Sequence, residues 1–216
     1  MRPDSEPPES VTPDSVTPEP GNPRNSVTAS LRNPVSENER AVVIPVSQAI
    51  PEQLGPVDGR ALRTVCGHFA TGVTVITSGS GDNATGATVN SFTSVSLDPA
   101  LVLICLHDNS RLLPVVQESG GFVVNFLTQR QEPVAWAFAG RRTARIEEVP
   151  HHRSVLDLPV LSEALAHLEC RLVTEYDGGD HTILLGEVVG LRAPSEAEQE
   201  DPLIFFQGSM RTPAWS

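Results

Sequence analysis

Residues 165–191 decide the fold: Leu165-Ala-His-Leu-Glu-Cys-Arg-Leu-Val-Thr-Glu-Tyr176, then Asp177-Gly-Gly-Asp180, then, one residue later, Thr182-Ile-Leu-Leu-Gly-Glu-Val-Val-Gly-Leu191. Apolar and charged side chains alternate in the first segment, which is the period of a half-buried strand. The Asp-Gly-Gly-Asp turn leads into a second apolar segment, so the sequence predicts an antiparallel hairpin. The first strand should bury one face and expose the other. These faces carry, respectively, Leu168, Cys170, Leu172 and Tyr176, and Glu169, Arg171 and Glu175.

The remaining segments also favour strands over helices. Runs rich in β-branched residues and bounded by turn formers predict six more strands, at 73–78, 84–97, 101–107, 121–127, 145–149 and 203–206. Three helices are predicted, the first from the Asp58 cap to Gly72, the others at 110–118 and 128–139. The last opens with a Thr128–Gln131 capping box. The first carries an apolar stripe of Leu62, Val65, Cys66 and Phe69.

The predicted strands belong to an antiparallel barrel, because helices do not alternate with strands as a doubly wound parallel sheet requires. Gly79-Ser-Gly-Asp-Asn-Ala84 matches the spacing of a dinucleotide-binding loop. That loop must be followed by a helix, whereas strand-forming residues follow here, so the segment is predicted to be a hairpin turn. The predicted fold class is mainly β, a β-barrel with flanking helices.

Composition limits the partners and the compartment. The 216-residue chain has a formal net charge of −12, which argues against nucleic acid and anionic membranes. It shows no bilayer-length apolar run and no secretory signal, and its cysteines (Cys66, Cys105 and Cys170) lie among apolar residues. We expect buried, reduced thiols, no metal site and a cytoplasmic protein. The proline-rich residues 1–56 should form a disordered extension and tether, and residues 57–216 the folded domain.

Small polar side chains are concentrated in Gly86-Ala-Thr-Val-Asn-Ser-Phe-Thr-Ser-Val-Ser-Leu-Asp-Pro99. Such a strand can form a wall against which a flat polar ligand lies, although an exposed edge strand has a similar composition. The next strand ends at Asp108-Asn-Ser-Arg111, where a helix begins. Ser110 stands at the N-cap position, and Arg111 with the helix N-terminus can bind a phosphate in a chain without lysine. The alternative is an ordinary cap beside a solvent-facing arginine.

Three blocks, in this order, resemble the flavin reductase-like family: Phe69-Ala-Thr-Gly-Val-Thr-Val-Ile-Thr77, Thr88-Val-Asn-Ser-Phe-Thr-Ser-Val-Ser-Leu-Asp-Pro99 and Gly179-Asp-His-Thr-Ile-Leu-Leu-Gly-Glu-Val188. The resemblance extends over residues 58–208. It implies an FMN-binding split barrel of Greek-key type and a homodimer with flavin near the subunit interface. It also implies the reductase component of a two-component flavin-dependent monooxygenase. The flavin would be FMN or FAD, and the hydride donor NADH or NADPH.

The same resemblance implies roles for individual residues. His181 would be the catalytic residue, close to the nicotinamide and flavin rings, where it would orient the nicotinamide or supply a proton near flavin N1. The alternative is that Asp180 and His181 only stabilise their turn. Ser110 and Arg111 would hold phosphate, and Phe138 with Ala139 would close the site. The residues implied to bind the cofactor are Thr88, Val89, Asn90, Ser91, Ser94, His107, Ser110, Arg111, Phe138 and Ala139.

The chain departs from the family pattern near its C-terminus. Phe206, Gln207 and Met210 stand where family members often carry a basic pair and then a tyrosine. Two functions therefore stay open. One is NAD(P)H-dependent reduction of flavin for a partner monooxygenase; the other is a flavin-binding split barrel without reductase turnover, repurposed in a biosynthetic pathway. Oxidation of NADH or NADPH in the presence of FMN or FAD separates them.

Overall fold

The computed structural model describes residues 55–140, 144–195 and 200–212. The predicted extension at 1–56 lies outside the described residues except for its last two positions. The helices found in the described ranges are α1 (Gly59–Cys66), α2 (Leu112–Ser119) and α3 (Glu132–Ala139). The strands found there are β1 (Thr71–Gly72), β2 (Thr74–Ser78), β3 (Thr85–Val89), β4 (Thr93–Leu97), β5 (Ala100–His107), β6 (Gly121–Phe126), β7 (His151–Arg153), β8 (Pro159–Leu161), β9 (Ala166–Asp177), β10 (His181–Arg192), β11 (Ile204–Phe206) and β12 (Ser209–Arg211).

Seven antiparallel strands form the central sheet, in the order β3-β2-β6-β9-β10-β5-β4. Its two edge strands, β3 and β4, are consecutive in the chain and are separated only by residues 90–92. A link of this length spans at most about 15 Å, so the sheet must curl until its edges approach each other. The Ser91 hydroxyl holds them there, donating to Cys105 O at 2.9 Å and accepting from Cys105 N at 3.0 Å. The predicted barrel with flanking helices is confirmed.

Both predicted hairpins are present. β9 and β10 pair antiparallel along their length, with two interruptions of the register. Gly179 in the turn between them has φ +87°, a left-handed value that glycine adopts without strain. Residues 79–84 connect the antiparallel strands β2 and β3, so they form a turn and do not begin a dinucleotide-binding helix.

The inner face of the curled sheet encloses the core. Alternate residues of β5, namely Val102, Ile104 and Leu106, are buried there. Phe122 of β6 is fully buried, and a Cβ at Gly186 of β10 would lie only 2.6 Å from its ring. This close approach explains why glycine occupies the middle of a long strand, where it otherwise weakens the sheet.

Several predicted boundaries are wrong. Residues 84–97 form two strands because the chain leaves one edge of the sheet after Val89 and crosses to the other edge. Residues 145–149 form a 3₁₀ turn in place of a strand, because two glutamates follow the buried Ile146 and break the alternation. The sequence pattern gives no indication of β7 and β8, which are three residues each. Leu161 of β8 is attached by its N–H to the buried Asn125 Oδ1 at 2.9 Å.

Helix α1 begins as predicted, since the Asp58 carboxylate accepts a hydrogen bond from Ala61 N at 3.0 Å. It ends at Cys66, earlier than predicted, with Gly67 as its C-terminal cap. No helix of the described ranges is long and apolar enough to cross a membrane. The predicted apolar stripe does not pack against the barrel. Its exposed fractions are 54% for Leu62, 70% for Val65 and 77% for Phe69.

The three cysteines differ in burial, so the expectation that all are buried is wrong. Cys66 is exposed on α1, Cys105 is half-buried, and Cys170 is buried in the sheet. Burial raises the pKa of the Cys170 thiol to about 12, and the neighbouring Glu169 carboxylate adds to this effect. Cys170 is therefore a protonated, inert core thiol, whereas Cys66 is open to reagents.

One end of β9 is buried on both faces, in contrast to the predicted alternation. His167 and Glu169 share the face predicted to be exposed, yet each is only 7% exposed. The segment after β7 covers them, and Val155 N donates to Glu169 Oε2 at 3.1 Å. His167 Nε2 lies 3.8 Å from Glu169 Oε1. Burial lowers the pKa of His167, and the charge of Glu169 partly opposes this effect.

Protein stability should decrease as the pH falls through about 6.5, the ordinary pKa of histidine, because the unfolded chain then binds a proton that folded His167 binds less readily. His167→Gln should make this decrease shallower, because glutamine does not titrate. The measurement is the free energy of unfolding in urea at several pH values. His68→Asn, at an exposed histidine two residues beyond the end of α1, is the matched control. An unchanged pH profile in the His167 variant would show that the burial of His167 does not cause the loss of stability at low pH.

Candidate functional site

A cavity of about 840 Å³ opens where the ends of β3 and β5 meet helices α2 and α3. It lies at the gap between the two edges of the curled sheet. Every predicted site residue except Ser94 lines it. The structure thus brings together Thr88, Val89, Asn90, Ser91, His107, Ser110, Arg111, Phe138, Ala139 and His181.

Ser94 lies outside this cavity. It is exposed on β4 and pairs with Val102 of β5. The turn at 90–92 carries the chain to the opposite edge of the sheet, so Ser94 does not share a wall with Thr88. Within one chain, Ser94 therefore does not join the other predicted site residues.

Several polar side chains of the β3 wall already form hydrogen bonds that stabilise the fold. Thr88 Oγ1 donates to Ala135 O at 2.7 Å and so attaches β3 to α3. Ser91 uses its hydroxyl both as donor and as acceptor toward the Cys105 backbone. Asn90 Nδ2 donates to Thr71 Oγ1 at 3.2 Å. Asn90 is exposed, and its Oδ1 and second N–H bond to no other described residue, so they can meet a ligand.

Phe138 of α3 packs directly on β3 at Gly86. Phe138 is buried, and a Cβ at Gly86 would come within 3.2 Å of its ring and 3.1 Å of Ile76 O. Glycine therefore lets α3 pack on the strand backbone. Ala139 follows at the exposed rim of the cavity.

The predicted phosphate site at Ser110 and Arg111 differs in its local structure from the prediction. Helix α2 begins at Leu112, so Arg111 and not Ser110 occupies the cap position, and Ser110 Oγ accepts from Leu112 N at 3.3 Å. Pro114 has no N–H, which leaves the first turn with fewer donors than a regular helix start. Arg111 is exposed and takes part in none of the ion pairs found among the described residues. It is the only arginine among the described residues that line the cavity, so it can attract an anionic ligand there.

Two histidines meet beside this turn, since Ser110 N donates to His107 O at 2.7 Å. His107, at the end of β5, pairs in register with His181, at the start of β10. Their ring centroids are 5.2 Å apart, and the rings meet edge to face. His181 Nδ1 lies 2.7 Å from Asp180 Oδ1, and Asn109 N donates to His107 Nδ1 at 3.0 Å. The sequence pattern gives no indication of the Asn109 contact, because it depends on how the chain turns after β5.

A second, smaller cavity of about 270 Å³ adjoins the first across Thr88, Val89 and Asn90. Its apolar lining includes Trp136 of α3 and Met210 of β12. Met210 belongs to the segment in which the sequence departs from the family pattern. The departure from the family pattern therefore alters this smaller cavity, and the residues that line the main cavity are unaffected.

Comparison with known proteins identifies the family. Residues 66–214 match the family model described as a flavin reductase like domain. The reductase subunit HsaB of a flavin-dependent monooxygenase from Rhodococcus jostii is 38% identical over 152 residues, which are 70% of this chain and 76% of that protein. An NADH-dependent FAD reductase from Streptomyces globisporus is 41% identical over 150 residues, 67% of this chain and 82% of that protein.

Solved structures agree with these relatives. The NADH:FAD oxidoreductase SgcE6 of Streptomyces globisporus, solved in complex with NAD and FAD fragments, superposes with a TM-score of 0.67 at 38% identity. The match covers 74% of this chain and 97% of that one. The curled sheet, the cavity at its open edge and the sequence matches lead to one conclusion. This chain belongs to the flavin reductase-like family of split-barrel proteins.

Proposed function

We propose that this protein is an NADH-dependent flavin reductase that supplies reduced flavin to a partner flavin-dependent monooxygenase. The observation that carries the proposal is the single cavity that holds the polar β3 wall, Arg111 and His181 together. The relatives are named as NADH-dependent flavin reductases and as reductase components of monooxygenases, which favours turnover over a flavin-binding protein without it.

The residues of the cavity fit a flavin nucleotide. Its volume of about 840 Å³ lies in the range of small-molecule sites. The isoalloxazine ring would lie along the polar β3 wall, where Asn90 can exchange hydrogen bonds with the ring's polar edge. Arg111 would then hold the phosphate or pyrophosphate. FMN and FAD share these groups.

His181 and the walls of the cavity would serve the reaction by positioning. A bound flavin would supply the acceptor for a hydride from NADH, at N5, and for a proton, at N1, so that the products would be NAD⁺ and reduced flavin. The protein must stack the two rings and exclude water between them. His181 is half-exposed at the rim, where its ring can contact the incoming nicotinamide.

A steady-state assay tests this function. Catalytic amounts of the protein are mixed with NADH or NADPH and with FMN or FAD, and the nicotinamide absorbance is followed. We expect NADH to be oxidised with at least one flavin, and faster than NADPH. Flavin binding without oxidation in any of the four combinations would leave only the binding role.

We propose further that the protein is a homodimer in which the exposed apolar stripe of α1 is covered by the second copy. Leu62, Val65 and Phe69 are more than half exposed, and Leu97 at the end of β4 is 90% exposed. Leu62 and Val65 are three residues apart and so share one face of α1, and an exposed apolar face of this kind on a monomer usually marks an interface. The family resemblance, which implies a dimer, supports the same assignment.

Val65→Asp should convert the dimer into monomers, because it would bury a charge in the interface. The measurement is the mass in solution by light scattering after gel filtration. Val155→Asp is a matched control at an exposed valine outside α1, 81% exposed. A wild-type mass of one chain would contradict the dimer.

We also place the protein in the cytoplasm, where NADH is available to it. The thiols of Cys66, Cys105 and Cys170 form no disulfide in the structure, which suits a reducing compartment.

A further inference from the structure

A third cavity, of about 1000 Å³, lies between helix α1 and the turn that joins β11 to β12. We call it the α1 cleft. Gln207 N donates to Gly67 O at 2.8 Å, and the ring of His68 meets that of Phe206 edge to face, with centroids 6.3 Å apart. These contacts attach the end of α1 to the β11–β12 hairpin. No residue of Gly59–Cys66, all of which the structure describes, is buried, so the helix borders the cleft and leaves it open.

Two arginines of α1 give the cleft a positive wall. Arg60 and Arg63 are three residues apart, so they share one face of the helix. Neither guanidinium belongs to an ion pair found in the described ranges. Among the described lining residues, the one carboxylate is that of Asp180, and it is already bonded to His181 Nδ1 at 2.7 Å. An anion in the cleft would therefore meet two cations that have no carboxylate partner in the described part of the chain.

The other groups that line the cleft suit the rest of a nucleotide. Guanidinium groups bind phosphate oxygens through charge-assisted hydrogen bonds, so two of them suit a diphosphate. Thr64 and Gln207 offer a hydroxyl and an amide to a ribose, and the ring of His68 offers a surface for a base. The volume of the cleft lies at the upper end of small-molecule sites. The cleft therefore fits a nucleoside diphosphate.

The proposed dimer would leave this face of α1 free. Arg60, Arg63 and Gly67 follow one another at spacings of three and four residues, so they lie on one side of the helix. Val65 and Phe69 of the apolar stripe do not line the cleft. A second copy that covers the apolar stripe and a ligand that contacts the two arginines would thus approach α1 from different sides.

The α1 cleft adjoins the two cavities already described. Gly208 lines both the cleft and the smaller cavity, and the smaller cavity shares residues 88–90 with the main cavity. Asp180, which lines the cleft, is the chain neighbour of His181, which lines the main cavity. One elongated ligand can therefore occupy the main cavity with one end and the α1 cleft with the other.

We propose that the α1 cleft binds the adenosine diphosphate half of a dinucleotide whose reactive ring lies in the main cavity, and that Arg60 and Arg63 hold its two phosphates. This assignment rests on the proposed function, since NADH and FAD are the ligands of that reaction that carry this group. NADH is the expected source. Arg111 already lines the main cavity as a cation for the phosphate of the flavin, whereas the phosphates of NADH need cations of their own.

Titration with ADP tests the cleft without any turnover. We expect wild-type protein to bind ADP, and Arg60→Ala and Arg63→Ala each to raise its Kd about tenfold, as the loss of a charge-assisted hydrogen bond should. The measurement is isothermal titration calorimetry. Both side chains are exposed, so the Tm of the variants should stay at the wild-type value.

Two other arginines provide the controls. Arg171→Ala removes an exposed arginine that is paired with Glu187 at 3.2 Å and does not line the cleft, and it should leave the Kd of ADP unaltered. Arg111→Ala should also leave it unaltered, because Arg111 lines the main cavity. A Kd that rises only in the Arg111 variant would place ADP in the main cavity and overturn the assignment.

Pairs of ligands with and without ADP identify the source of the group. Reduced nicotinamide riboside keeps the nicotinamide ring and its ribose but lacks ADP, and riboflavin stands in the same relation to FAD. Arg60→Ala and Arg63→Ala should lower kcat/KM for NADH about tenfold and leave that for the riboside unchanged. A selective loss of affinity for FAD over riboflavin would assign the cleft to the ADP half of FAD.

The failure of the proposed function and the failure of this site can be told apart. A wild-type protein that oxidises no NADH would defeat the function, whereas the titration with ADP would still decide the site. No binding of ADP by the wild type, or the same Kd in the Arg60 and Arg63 variants, would overturn the site. So would equal losses for NADH and the riboside together with equal losses for FAD and riboflavin, because the arginines would then not act on the ADP half.

Discussion

His181→Ala is expected to lower kcat for NADH oxidation about a hundredfold, the size of effect typical of a misplaced reactant or a lost proton-transfer group. The ring lies at the rim of the cavity, held by Asp180 at 2.7 Å, and no contact of His181 supports the β3 wall or Arg111. The Kd of the flavin should therefore change little. Single-turnover reduction of bound flavin by NADH measures the first quantity, and titration of the protein with flavin measures the second.

A histidine outside the cavity provides the control for this experiment. His151→Ala removes an imidazole from β7, whose Nδ1 contacts only the backbone oxygen of Val149 at 2.9 Å. It should leave both quantities close to wild type. If His181→Ala weakened flavin binding and spared kcat, His181 would belong to the flavin site and would have no role in hydride transfer.

Arg111→Ala is expected to raise the Kd of FMN at least about tenfold, because a charge-assisted hydrogen bond to a phosphate contributes about 1.5–3 kcal/mol. Pro114 removes one amide donor from the helix start, and Leu112 N is already bonded to Ser110. Arg111 is the only arginine among the described residues that line the cavity, so we expect it to supply much of the attraction. Since the side chain is exposed and forms no ion pair in the described ranges, the Tm should not change.

Salt and a second arginine distinguish this role from a general charge effect. The Kd of the wild-type protein should rise with ionic strength more steeply than that of Arg111→Ala. Arg130→Ala removes an exposed arginine that is paired with Glu200 at 3.2 Å and does not line the cavity, and it should leave the Kd unaltered. An Arg111 variant with wild-type affinity for FMN would place the phosphate elsewhere.

The sequence predicts the local elements of this fold well and their long-range arrangement poorly. The β9–β10 hairpin follows from alternation and a glycine turn, both of which act between neighbours in the chain. The division of residues 84–97 into two strands, at 90–92, does not follow from the sequence, because polar residues lie on both sides of this link. Only the closing of the sheet determines where the chain turns. The burial of Glu169 depends on a loop that the strand's own sequence does not reveal.

The same limit applies to the site. The polar wall, Arg111 and His181 were predicted from separate segments, and the barrel brings them to one cavity. The sequence could not show that the Ser91 hydroxyl bonds to the Cys105 backbone. Nor could it show that Ser94 lies on β4, at the opposite edge of the sheet from β3. The hydrogen bond from Asn109 N to His107 Nδ1 arises from a turn of two residues, and its donor is a backbone amide that any residue except proline could supply.

The central claim is hydride transfer from NADH to a flavin held in this cavity. It is tested most directly by mixing the protein anaerobically with excess flavin and a measured amount of NADH. We predict that the visible absorbance of the oxidised flavin disappears mole for mole with the NADH, at a rate proportional to protein concentration. Retention of both absorbances with FMN and with FAD, in a protein shown by titration to bind flavin, would contradict the claim.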